Sequence, residues 1–158
     1  MKVHVRHVLK ADAAAAFALC TEQKNQASIY AQLGGSEVVV KRQGRAPNVK
    51  LAITRKEPSS PPAAIARFVP GVNTVQHTEA WSRDGEGYRA DIVVDIKGVP
   101  VKITGTKSLV PGKGTCTVEW HFNVTSGIPL LGGLIASFAG SEVERKLKKE
   151  ATILSAMT

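Results

Sequence analysis

The chain has 158 residues, 43% of them hydrophobic and 22% charged, with a formal net charge of +8. Those proportions describe an ordered globular chain, and the length suits one domain, residues 1–158, with a sizeable core. No apolar run reaches the roughly 18 residues that a membrane-spanning helix needs, which excludes that class. The excess charge is uneven: Lys41, Arg42, Arg45, Lys50, Lys56, Arg55 and Arg67 stand against one acid, Glu57. A basic stripe of this kind suits nucleic acid, an anionic membrane or an anionic ligand. No aromatic residue lies among these basic ones to stack bases, so no nucleic-acid partner is expected.

"KVHVRHVL" alternates strictly and predicts a strand over residues 2–9, with Val3, Val5, His7 and Leu9 on one face. That alternation, followed by an alanine-rich stretch behind Asp12, argues against a signal peptide, and a cytoplasmic location is the expectation. Asp12 caps a predicted helix over 13–20, and Thr21 a second over 22–33 that ends at Gly34-Gly35. Cys20 and Cys116 have no metal-type spacing and read as buried reduced thiols.

Strands follow over 36–43 and 48–57, joined by "GRAPN". Residues 63–69 suit one or two helical turns. Strands then follow over 73–82, 88–98, 99–110 and 115–125, with turns at "RDGEG" and "PGKG". The last places Cys116, Val118, Trp120, Phe122 and Val124 on one side and polar residues on the other, the mark of an antiparallel sheet with one buried face. "IPLLGGLIASFAGSEVERKLKKE" ends the chain in a long helix. Strands and helices segregated in this way give an α+β fold class.

The series "KVHVRHVL", "ARFVPG" at 66–71, "VQHTEAW" at 75–81, "GVPVKITGT" at 98–106, "PGKGT" at 111–115 and "IPLLGG" at 128–133 resembles the DUF2505 family. More broadly, the chain resembles the START/Bet v1-like (SRPBCC, helix-grip) superfamily. The resemblance implies a curved antiparallel sheet of about seven strands gripping a long C-terminal helix, two short helices after the first strand, and a hydrophobic cavity between sheet and helix. It carries over no activity residue by residue.

No phosphate loop, zinc spacing or nucleophile elbow is present, and no metal or cofactor is expected. Candidates are polar residues on apolar strand faces. His77 and Glu79 share a face with Val75 and Trp81, about 7 Å apart along the strand, a spacing that can orient a polar ligand or exchange a proton with it. The alternate set Thr74, Gln76 and Thr78 is also polar, so either face of this strand could be the inward one. Arg55 continues the face of Val49, Leu51 and Ile53 and could meet an anionic head group. His7 reads as a core histidine, with catalysis as the alternative; His4, His121, Asp91 and Asp95 read as surface residues. Phe68 is expected to close one end of the cavity.

On one straight helix, Leu134, Ile135 and Phe138 fall within about 60° of Leu131. The core face of the second half extends back to Gly132, Gly133, Ala136 and Gly140, whose small side chains would leave room for a cavity wall. The large residues would then face the entrance or solvent, where an anionic membrane or a second subunit could dock. A kink at Gly140 would instead turn them inward. The expected function is non-enzymatic binding or transport of a hydrophobic small molecule, lipid or polyketide-like. The alternative is a cyclase, dehydratase or hydrolase using acid/base residues in the same cavity. The sequence leaves the oligomeric state open.

Overall fold

In the computed structural model, which describes all 158 residues, the strictly alternating first segment forms β1 (Lys2–Leu9) with Val3, Val5 and Leu9 buried. Asp12 accepts a hydrogen bond from the Ala15 amide and opens α1 (Ala13–Thr21). Thr21 is not the cap expected of it. Its hydroxyl donates back to the Phe17 carbonyl and keeps it in α1, while Glu22 takes the N-cap position of α2 (Gln23–Gln32).

The Gly34-Gly35 pair stops α2 as expected. Gly34 has φ +97°, its amide reaches the Ala31 carbonyl, and the Gly35 amide reaches the Tyr30 carbonyl, the Schellman pattern of paired bonds. A side chain on Gly35 would stand 2.8 Å from the Tyr30 carbonyl oxygen, so the close approach requires glycine.

Six further strands follow: β2 (Ser36–Arg45), β3 (Asn48–Pro58), β4 (Val72–Asp84), β5 (Gly87–Ile96), β6 (Lys102–Pro111) and β7 (Cys116–Thr125). They form one antiparallel sheet in the order β1-β7-β6-β5-β4-β3-β2. The segment expected to make one or two helical turns makes a single 3₁₀ turn, Ala63–Ile65. The sixth strand starts at Lys102, three residues later than expected. Pro100 lacks an amide donor there, and Val99 and Val101 bond into a local turn instead.

The C-terminal helix α3 runs from Gly132 to Ala156. It lies against β1 and β7. Gly140 sits against the Met1 side chain, and Ser155 is 3.0 Å from the His7 ring. The small residues at Ala136 and Gly140 therefore let the helix approach one edge of the sheet; they do not line open space. α3 makes no comparable contact with β3, β4 or β5.

Gly105 on β6 is a position of close approach. It pairs with Phe122 on β7, and a Cβ there would lie 2.6 Å from the Phe122 ring and also strike the His121 carbonyl oxygen. The bare backbone lets the Phe122 ring lie across β6. Gly105→Ala has to push that ring and the β7 backbone aside, and we expect a loss of roughly 1–3 kcal/mol in urea unfolding.

Candidate functional site

β4 settles which of its polar sets faces inward. Thr74, Gln76, Thr78 and Ala80 are exposed, while Asn73, Val75, His77, Glu79 and Trp81 are buried. The same period on β3 buries Val49, Leu51, Ile53, Arg55 and Glu57, and on β6 it buries Ile103, Lys107 and Leu109. Three polar strand faces thus converge beneath α3, which adds Lys146 and Glu150; α2 adds Tyr30.

These groups form a connected network. Arg55 Nη1 lies 2.7 Å from His77 Nδ1, and His77 Nε2 lies 2.9 Å from Glu79 Oε2. Arginine can only donate, so Nδ1 is the acceptor and the His77 proton sits on Nε2, pointing at Glu79. Trp81 Nε1 donates to the other Glu79 oxygen at 2.9 Å. The Tyr30 hydroxyl lies 3.3 Å from His77 Nε2 and donates to Glu150 at 3.3 Å; Lys107 Nζ donates to Glu150 at 3.2 Å. Lys146 Nζ reaches both oxygens of Glu57, at 2.8 and 2.9 Å, and the Arg55 guanidinium stacks on the Tyr30 ring.

The titration behaviour follows from this wiring. Burial, reinforced by the Arg55 charge, outweighs the Glu79 hydrogen bond and holds His77 below its ordinary 6.5, as neutral imidazole. Burial works to raise Glu79, but the His77 hydrogen bond, Lys107 and Trp81 together hold it below 4.5. In Glu57 the same penalty is outweighed by Arg55 and Lys146. Burial and the nearby carboxylates push the Tyr30 hydroxyl well above 10.0, and burial pushes the Cys20 thiol up to about 11.

Above the network is a cavity of about 130 Å³ between the sheet and α3. Its polar end is built by Arg55, His77, Glu79, Lys107 and Glu150. Its apolar wall comes from β5, β6, β7 and α3, with Ile92, Ile103, Trp120, Phe122, Ile135 and Phe138.

Arg55, His77, Glu79, Ile135 and Phe138 are thus brought together at one void. The other candidates lie off its lining. Trp81 stands behind Glu79 with its edge against Phe17. Phe68 and Leu131 join a small apolar cluster around Ile65, Val69 and Ile135 at one end of the fold, and Arg67 covers the Phe68 ring. Ala136 belongs to the main core. Leu134 is 41% exposed and Leu130, at φ +66°, is fully exposed. His7 bonds to Ser155 and does not reach the cavity.

Sequence reasoning missed Tyr30, Glu57, Lys107, Lys146 and Glu150. Two of them carried a readable signal. Glu57 is the next inward position after Arg55, and Lys107 alternates with Ile103 and Leu109. Arg55, expected to meet an anionic head group, is instead already engaged by Glu57 and His77.

Metal-type donors meet elsewhere, on the outer sheet face. His4 stacks on His121 with ring centroids 4.1 Å apart, and with Glu119 their ligating atoms lie within 4.8 Å of one another. Glu119 is already paired with Arg6.

Residues 4–157 match the family described as "Protein of unknown function (DUF2505)". The chain belongs to that family. No curated protein matches the sequence. Among solved structures, TTHA0849 from Thermus thermophilus is similar at 16% identity, TM-score 0.67, over 100% of this chain and 99% of that one. The Zhui aromatase/cyclase from Streptomyces sp. R1128 is similar at 11% identity, TM-score 0.65, over 99% and 93%. Norcoclaurine synthase from Thalictrum flavum is similar at 16% identity, TM-score 0.60, over 99% and 85%. At such identities the likeness shows the fold: the DUF2505 chain has the Bet v1-like helix-grip architecture. No helix in it is long and apolar enough to cross a membrane.

Lys107 is 1% exposed, so its ammonium depends on Glu150. Lys107→Met should cost about 3–5 kcal/mol in chemical unfolding, because it strands a buried carboxylate. The double change Lys107→Met/Glu150→Leu should recover most of that loss.

Proposed function

We propose that this DUF2505 protein binds or carries a hydrophobic small molecule in the cavity between the sheet and α3. The observation that carries the reading is the lining: a mostly apolar wall around a void, with polar groups gathered at one end, the usual form of a small-molecule site. A lipid-like or polyketide-like body suits such a wall. The aromatase/cyclase and norcoclaurine synthase share the architecture, so catalysis is the natural competitor. The wiring of His77 weighs against it. Its Nδ1 is occupied by Arg55 and its Nε2 by Glu79 and Tyr30, which leaves no nitrogen free to take a proton from a ligand. Glu79 is likewise capped on both oxygens, by His77 and Trp81.

Ala139 faces the cavity from α3. Ala139→Leu places about three extra carbons in the void. An uncharged one-ring probe, toluene, followed by amide chemical shifts, is expected to bind the wild-type protein with one-to-one stoichiometry. The variant is expected to keep its circular dichroism spectrum and to lose most of that binding. Equal probe binding by the two proteins would place the probe outside the cavity and remove the support for this reading.

A further inference from the structure

We infer that the ligand is uncharged, ring-sized in the part the cavity encloses, and carries a hydroxyl that seats between β3 and β4. This rests on the binding reading above and adds the ligand's chemistry to it.

The charges around the cavity are balanced. They sum to zero: Arg55, Lys107 and Lys146 balance Glu57, Glu79 and Glu150, and Glu142 is paired with Arg145. Glu79 is held by N–H donors from His77 and Trp81, with Lys107 acting on it across the site. A carboxylate entering this cavity would shed its water and set a fourth negative charge against those three cations. An ammonium would set a fourth positive charge against the three carboxylates, and Glu79, the one without a salt-bridged cation, is already capped by His77 and Trp81. Either ion would carry the full cost of desolvation without a partner. A neutral ligand meets no such penalty.

Two buried hydrogen-bonding positions are unfilled. Asn73 lines the cavity at 8% exposure, and its Oδ1 is buried without a donor. Arg55 Nε is buried without an acceptor in hydrogen-bond geometry, its nearest carboxylate oxygen being Glu57 Oε1 at 3.5 Å. Asn73 pairs in register with Glu57, and Arg55 lies two residues away on the same inward face of β3. One orphan acceptor and one orphan donor on neighbouring strands call for a group that both donates and accepts. A hydroxyl does both; an ether or ketone only accepts, and an ammonium only donates.

The size of the void limits what it can enclose. A void of about 130 Å³ is close to that of an apolar cavity of about 150 Å³ that takes benzene. One six-membered ring with a short substituent fits inside it.

The test is a titration monitored by amide chemical shifts with four molecules of one shape: benzyl alcohol, toluene, benzoate and benzylamine, at pH 7. Benzyl alcohol is expected to shift cavity resonances and to bind at least about tenfold more tightly than either ion and measurably more tightly than toluene. Asn73→Leu is expected to abolish its advantage over toluene while toluene binding persists. Benzoate or benzylamine binding as tightly as the alcohol would overturn the charge argument and leave the cavity reading standing. Toluene matching the alcohol in the wild type would overturn the hydroxyl seat. Binding by none of the four would overturn the cavity reading itself, and this inference with it.

Discussion

Three carboxylates, Glu57, Glu79 and Glu150, lie buried between the sheet and α3, and none can stay there as an ion without partners. Meeting that demand dictates much of the interior. It takes Arg55 and Lys107 off the surface, turns His77 and Trp81 toward Glu79, and draws Lys146 down from α3 onto β3. It also ties α3 down on the side where it has no close contact with the sheet. Along β1 and β7 the helix is held by packing, with Gly140 against Met1. Across the opening, Lys146 reaches Glu57 on β3, and Glu150 reaches Tyr30 on α2 and Lys107 on β6. A helix fixed by contact along one edge and by ion pairs along the other leaves space in the middle, and that space is the cavity.

The architecture could be read from the chain because it rests on local rules. Strict alternation gave β1, β3 and β7, Asp12 capped α1, and the paired glycines closed α2 through the bonds expected of them. The inward face of β3 was equally legible, since Arg55 continues the period of Val49, Leu51 and Ile53; on β6 Gly105 and Lys107 break the period between Ile103 and Leu109, and its inward face was not read. The partners of those charges were not. Lys107 pairs with Glu150, 43 residues on, and Lys146 with Glu57 across 89, separations at which no local pattern links the two. On β4 both faces are polar, so the inward one was decided by the three-dimensional setting of Arg55 and Trp81.

The glycine and alanine positions of α3 show a related limit. Small side chains can make room or allow close approach, and periodicity does not distinguish these. Gly140 and Ala136 serve close approach, because Met1 and the β1–β7 edge lie beside them. The void opens about a quarter-turn away, at Phe138, Ala139 and Val143. The apolar stretch that opens the helix divides accordingly: Ile135 faces the interior, while Leu130 and Leu134 remain in solvent.

His77 sits as a neutral imidazole at the centre of an internally neutral network, between Arg55 and Glu79, and that state can be observed directly. A long-range ¹H–¹⁵N spectrum of uniformly labelled protein at pH 6.5, where an ordinary histidine is half charged, reports the protonation and tautomer of each imidazole. The predicted result for His77 is a neutral ring protonated on Nε2, with Nδ1 as the hydrogen-bond acceptor. A charged His77 at that pH, or a proton on Nδ1, would contradict the Arg55–His77–Glu79 arrangement, and with it the neutral cavity built upon it.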